Sequence, residues 1–235
     1  MSASSSSLTA LIIGASRGLG LALAEEYWKR GWRVVATVRG SGRTGLHDLA
    51  DKAGGRIEVE TLDIVEPDQI AALRDRLRGR SIDLLFVNAG VTNNPKHQPI
   101  GEVPTEEFVR VMVTNALSPM RVVEALQDLV PATGTIGVMS SGLGSVADNE
   151  NGGWEVYRGS KAALNMLMRS FAARYANGAR ALLIIAPGWV RTDMGGPQAR
   201  LSIEESIPRV VDTITAQSGK PGLRYLDYQG QPVRW

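Results

Sequence analysis

Tyr157 and Lys161 stand four residues apart just ahead of a helical pattern over 162–176. Residues at that separation share one face of a helix, which sets an ammonium beside a phenol. A free tyrosine has a pKa of about 10, too high for easy proton exchange at neutral pH, and a neighbouring cation favours the phenolate. The pair therefore reads as proton-transfer chemistry, with Lys161 expected to pull the Tyr157 pKa down. Such pairs also occur on ordinary helix surfaces, and a second motif gives this one its weight. Gly14-Ala15-Ser16-Arg17-Gly18-Leu19-Gly20 follows an apolar run at 8–13 and leads into a helical pattern at 21–30. Glycines let a backbone turn tightly against a pyrophosphate, and the free N–H groups and dipole of a helix start attract its charge. A plain strand-to-helix turn is the bland alternative. Asn115 is a third candidate, in a long helical pattern over 105–129 with Pro119 four residues later. Proline has no N–H, so the Asn115 carbonyl loses its helical partner, the helix should kink there, and the carbonyl is free to hold a water. A kink that merely eases packing is the other reading.

Those residues need a scaffold. Short β-rich runs at 8–13, 32–38, 57–62, 82–87, 135–139 and 181–186 alternate with longer amphipathic stretches, and a short run at 223–225 could close an edge. Strand and helix alternating in this way imply right-handed crossovers and a parallel sheet covered on both faces. Ligands in such sheets bind beyond the carboxyl ends of the strands, where the strand order reverses. The motifs do follow strands. With 235 residues, 43% of them apolar, and no linker-like stretch, the chain is expected to form a single domain over 8–235 after a disordered Ser-rich leader at 1–7.

Composition removes several classes. The chain has no cysteine, which excludes disulfides and thiol chemistry and fits a reducing cytoplasm. Its two histidines, His47 and His97, lack ligand spacing, so no metal site and no histidine-based triad is expected. A formal charge of +2 gives no basic surface for nucleic acid, and the run Arg74, Arg76, Arg78, Arg80 reads as a solvated helix end. The apolar run at 8–13 is too short for a signal or membrane helix.

The spacing Gly-x-x-x-Gly-x-Gly together with Tyr-x-x-x-Lys resembles the short-chain dehydrogenase/reductase family, over nearly the whole chain. The resemblance implies a single-domain Rossmann fold, a doubly wound parallel sheet of about seven strands with helices on both faces. It implies that Gly14, Ser16, Arg17, Gly18, Leu19 and Gly20 carry a dinucleotide, although Ile13 stands where the family often has Thr. By the same resemblance Asp63, followed by Ile64, contacts the adenine, and Asn88-Ala89-Gly90 borders the cofactor; a helix cap is the alternative role for Asp63. Pro187-Gly188-Trp189-Val190-Arg191-Thr192 resembles the segment that holds the nicotinamide carboxamide, through Pro187, Gly188, Val190 and Thr192. Tyr157 becomes the proton donor and Lys161 its partner, also contacting the nicotinamide ribose. Asn115 holds a relay water. Ser141 matches the serine that bonds the substrate carbonyl. Ser140 stays open as its alternative, because successive strand residues face opposite sides.

Charge argues for the dinucleotide. An acid at the end of the second strand would accept ribose hydroxyls and repel a 2′-phosphate. Here Val38 and then Arg39 take that place, and Arg17 adds a second guanidinium, so NADPH is expected over NADH. Thr92, Ser141, Leu143, Trp154, Tyr157, Trp189 and Met194 are the candidate substrate lining, a mostly apolar set suited to a carbonyl compound. The segment 147–154 is expected to reach over the substrate, and Gly195-Gly196-Pro197 to act as a mobile flap or a plain turn. The stretch from Ser140 to Arg158 is most similar to the branch with the sniffer-type carbonyl reductases and the bacterial C-factor. That likeness implies a reductase of aldehydes, ketones or quinones, with a nucleotide-binding signalling protein of slight turnover as the rival. A homodimer or homotetramer is expected through helix pairing, with no nucleic-acid or membrane partner.

Overall fold

Each of these apolar runs forms a strand in the computed structural model, which describes residues 7–235; the expected leader lies, apart from Ser7, outside the described residues. The strands are β1 (Thr9–Ile13), β2 (Arg33–Val38), β3 (Ile57–Thr61), β4 (Leu84–Val87), β5 (Thr135–Met139), β6 (Ala181–Ala186) and β7 (Gly222–Asp227). They form one parallel sheet in the order β3-β2-β1-β4-β5-β6-β7. Strand β7 runs beyond the 223–225 expected of it. It is an edge strand in which only Tyr225 and Leu226 are fully buried, so its ends carry no apolar signal.

Alternation sorts the side chains of each strand to two faces. Leu11 and Ile13 pack with helices α3 (Pro67–Arg76), α5 (Ser118–Leu126) and α6 (Glu155–Arg174). Ala10 and Ile12 pack on the other face with α1 (Gly18–Lys29), α2 (Gly45–Lys52) and α7 (Ile203–Thr215). With both faces covered, the central strands read as unbroken apolar runs.

The long pattern over 105–129 divides into α4 (Thr105–Met112), a widened π-type turn at Val113–Leu117 and α5. Pro119 sits in the first turn of α5, where its missing N–H does least harm. The turn carries Asn115, and such inserted turns concentrate at functional sites. The four arginines of the basic run are all paired, Arg74 with Asp128, Arg76 with Glu60, Arg78 with Asp75 and Arg80 with Glu58, as a solvated helix end requires. No described helix is long and apolar enough to cross a membrane.

Candidate active site

The strand order reverses between β1 and β4, and a cleft of about 310 Å³ opens at their carboxyl ends. The turn after β1 forms its floor. Gly14 has φ +86, and a Cβ there would stand 2.7 Å from that of Ala89, so only glycine fits. Around it, Asn88 Nδ2 donates to the Gly14 carbonyl (2.8 Å) and the Gly14 N–H donates to Thr37 Oγ1 (2.9 Å). Gly20 lies one helical turn on, its α-carbon pressed so tightly on the Gly14 carbonyl that a Cβ would come within 2.0 Å. Helix α1 starts at this turn with no side chain capping its N–H groups and no acid in its first turn. A Cβ on Gly18 would meet nothing nearer than 4.0 Å. An uncapped helix start facing open space is what a phosphate group of a dinucleotide fits.

At the other end of the cleft stand Tyr157 and Lys161, both on the first turns of α6 and both buried. The Lys161 ammonium lies 5.7 Å from the centre of the Tyr157 ring and donates to the Met139 carbonyl at 3.0 Å. Burial lowers the Lys161 pKa to about 8. Burial also pushes the Tyr157 phenol up to about 12, with hydrogen bonding to Ser141 opposing the rise and Tyr225 adding to it. The expected downward pull joins Lys161 to the positive ring of an oxidised nicotinamide, and the protein alone carries only the first of the two. In the protein alone, loss of water around the phenol outweighs its neighbours, and the amine lies over the ring rather than against the hydroxyl.

The two serines after β5 separate cleanly. Ser140 borders the cleft, but its hydroxyl donates to Asn165 Oδ1 (2.7 Å) inside the protein. Ser141 lies close enough to Tyr157 to oppose the rise of its pKa, and its Oγ accepts from the Leu143 N–H at 3.1 Å. Asn115 is fully buried in the widened turn. Its Oδ1 accepts from the Val91 N–H (2.8 Å), and its Nδ2 donates to the Val91 carbonyl (2.7 Å) and to Ser160 Oγ (2.9 Å). The side chain therefore locks the segment after β4 to α6. A Cβ on Gly90 would stand 3.3 Å from both Asn115 Oδ1 and Lys161 Nζ, which places the three together.

Two loops form the rim. Trp154 is the one non-glycine residue with positive φ (+54) among the described residues, and its ring stands edge-on to Tyr157 (5.8 Å) and to His97 (5.5 Å). Lys96 lies over the same ring (5.3 Å) and donates to the Met194 carbonyl (2.7 Å). The segment 192–196 is tied down further by Gly196 N–H to the Thr192 carbonyl (2.8 Å) and by an ion pair between Asp193 and Arg17 across the mouth. Asp63 is not the cap of α3. It lines the cleft, and its carboxylate accepts from the Val65 N–H in a local turn while Glu66 stands at the head of α3.

Of the expected cofactor residues, Gly14, Ser16, Arg17, Gly18, Leu19, Arg39, Asp63, Ile64, Asn88, Ala89, Gly90, Tyr157, Lys161, Pro187 and Thr192 line this one cleft. Gly20, Gly188 and Val190 are not part of its lining. A Cβ on Gly188 would strike Leu201, and Val190 is buried. Among the expected substrate residues Tyr157 and Met194 line the cleft, whereas Thr92, Ser141, Leu143, Trp154 and Trp189 do not; the Trp189 ring donates to the Gly195 carbonyl (2.9 Å) and is half exposed. Sequence reasoning missed Thr37, Asp193, Lys96 and Tyr225, none of which belongs to a spaced motif.

The profile of the short chain dehydrogenase family matches residues 8–201. The chain belongs to this family. Among solved structures, this short-chain dehydrogenase is similar to one from Burkholderia multivorans with bound NADP, with 62% identity, TM-score 0.97, and 98% of this chain and 100% of that one covered. It is also similar to a carbonyl reductase from Pseudomonas aeruginosa PAO1 in complex with NADP, at 38% identity and TM-score 0.91 over 98% and 100% of the two chains. Among curated relatives, the C-signal of Myxococcus xanthus is 36% identical over 66% of this chain and 93% of its own length. These likenesses agree with the carbonyl reductase and C-factor branch read from the sequence.

Proposed function

We propose that this short-chain dehydrogenase is an NADPH-dependent reductase that converts an aldehyde, ketone or quinone carbonyl to an alcohol, with Tyr157 as proton donor. One observation carries the reading: a single cleft holds an uncapped helix start at one end and a buried Tyr157–Lys161 pair at the other. The turn from Gly14 to Leu19 would hold the pyrophosphate, Arg39 the 2′-phosphate, Asp63 and Ile64 the adenine, and Pro187 and Thr192 the carboxamide. Two similar proteins were crystallised with NADP, which supports this choice. When bound, the dinucleotide supplies the hydride and, once oxidised, a positive ring near the phenol.

The residues of the chain do the rest. A phenol with a pKa of about 12 is fully protonated at neutral pH, the form a proton donor needs. Ser141, with one lone pair taken by the Leu143 N–H, offers its proton to a carbonyl oxygen and so places that oxygen beside Tyr157. Lys161 supplies a cation behind the ring, and Asn115 holds the wall between Val91 and Ser160 while its backbone carbonyl supports a water toward Lys161. Trp154 and Met194 border the substrate. A dimer or tetramer formed through the helices bearing Asn115 and Tyr157, in the cytoplasm, completes the reading.

The test is turnover of menadione, 4-nitrobenzaldehyde and acetophenone with NADPH by the protein and by Tyr157→Phe. The wild type should reduce at least one probe, and the variant should lose a factor of about 10² to 10⁴ while still binding NADPH. Retained turnover in the variant discards the assignment. Tight NADPH binding with no turnover of any probe would instead favour a signalling protein, the reading suggested by the C-signal likeness.

A further inference from the structure

Strand β7 carries a side chain that reaches the reacting end from behind. Tyr225 is buried at 3% exposure, and its hydroxyl donates to the Ser141 carbonyl at 2.5 Å. That carbonyl accepts a second bond from the Gly144 N–H at 2.9 Å, and the Ser141 hydroxyl accepts from Leu143 at 3.1 Å. Ser141 is therefore held at both its backbone and its side chain. Asn165 and Ser140, the pair that takes the other serine out of play, lie near enough to the Tyr225 hydroxyl to oppose the rise that burial gives its pKa.

Tyr225 is itself braced. The Trp235 ring stands edge-on to it at 5.6 Å, with the Arg169 guanidinium of α6 over the far ring at 4.7 Å. The Trp235 carbonyl accepts from the Ala147 N–H at 2.9 Å, and Arg234 pairs with Asp148. The same strap thus fixes the start of the loop that runs on to Trp154 and Tyr157.

We propose that Tyr225 is a positioning residue for the reaction: its phenol fixes the Ser141 backbone so that the Ser141 hydroxyl stays beside the Tyr157 phenol, with Trp235 as its brace. The proposal rests on the reading above that Ser141 and Tyr157 handle the substrate oxygen. Position matters at this scale, since a misplacement of about 1 Å in a reacting group can cost on the order of 10² in rate.

Tyr225→Phe keeps the ring and its packing on Trp235 and removes only the hydroxyl. With NADPH and the probe turned over fastest, kcat should fall about tenfold while KM for NADPH changes by less than about twofold, the loss of one hydrogen bond acting on the transition state. In a Ser141→Ala background the same substitution should cause no further loss, because the route through the serine is already cut. Amide hydrogen exchange in 141–147 should speed up in Tyr225→Phe while β1 and β2 stay protected; this comparison needs no turnover and decides the matter if every probe is inert. Unchanged exchange in 141–147, wild-type kcat, or losses that multiply in the double variant would each overturn the proposal. Full activity of Ser141→Ala would instead remove the serine from the proposed mechanism, whatever the exchange shows.

Discussion

Lys161 reaches past the Tyr157 ring, 5.7 Å from its centre, to donate to the Met139 carbonyl. Its charge is buried, and burial is the whole cause of its low pKa of about 8. An unfolded lysine titrates near 10.5. Between those values the unfolded chain binds the extra proton, so folded stability rises with pH from about 8 to 10.5, and the full penalty applies below 8. Lys161→Met should remove that rise, a difference on the order of 3 kcal/mol, seen by urea unfolding at pH 7 and pH 10. Above pH 10 the sign reverses. Tyr157 and Tyr225, both raised to about 12, and Tyr27, raised further still, stay neutral when folded and ionise when unfolded, so stability then falls.

The two serines should part company in kinetics. Ser141→Ala removes the hydroxyl beside Tyr157 and should lower kcat by about 10² to 10³ with little change in melting temperature. Ser140→Ala leaves Asn165 Oδ1 without its donor and should cost about 1–3 kcal/mol of stability with kcat nearly intact. The reverse pattern would reassign the site serine.

Arg39 directly follows β2, in the place where an acid would select NADH, and lines the cleft. Arg39→Ala should weaken NADPH by about 10- to 100-fold, the worth of a charge-assisted bond, and NADH hardly at all. Arg17 already has Asp193 as partner, both well exposed, so Arg17→Ala should have the smaller effect. Fluorescence titration with both dinucleotides distinguishes the cases; equal weakening of the two would sink the 2′-phosphate assignment.

Asn115→Ala removes a buried acceptor and two donated bonds and strands the Val91 N–H. A loss of roughly 2–4 kcal/mol is expected from the unpaired groups, together with weaker cofactor binding, because Gly90, a residue of the cleft wall, stands between this side chain and Lys161. Asn115→Asp should restore the Val91 N–H bond without the two donors and fall between.

The scaffold was readable because both sheet faces are covered, so strands such as β6 are apolar from end to end. The two sequence motifs were readable because each is local, four to seven residues long and tied to a turn or a helix face. What could not be read depends on distance along the chain. Tyr225 meets Ser141 across 84 residues, and Lys96 meets Met194 across 98. The burial of Tyr157 is hidden from the sequence for a related reason. Charge proximity shows in spacing, whereas the burial that outweighs it is a property of the folded whole.

The reversal between β1 and β4 makes the cleft a seam between two wings of the sheet, one reached through β1 to β3 and the other through β4 to β7. A molecule lying there touches turns from both wings and so acts as a removable rivet. At a hundredfold excess over its dissociation constant such a ligand adds about 2.7 kcal/mol to the folded state. Limited proteolysis of 192–199 should slow in step with that loading, so the chain's resistance to degradation would track the supply of its dinucleotide.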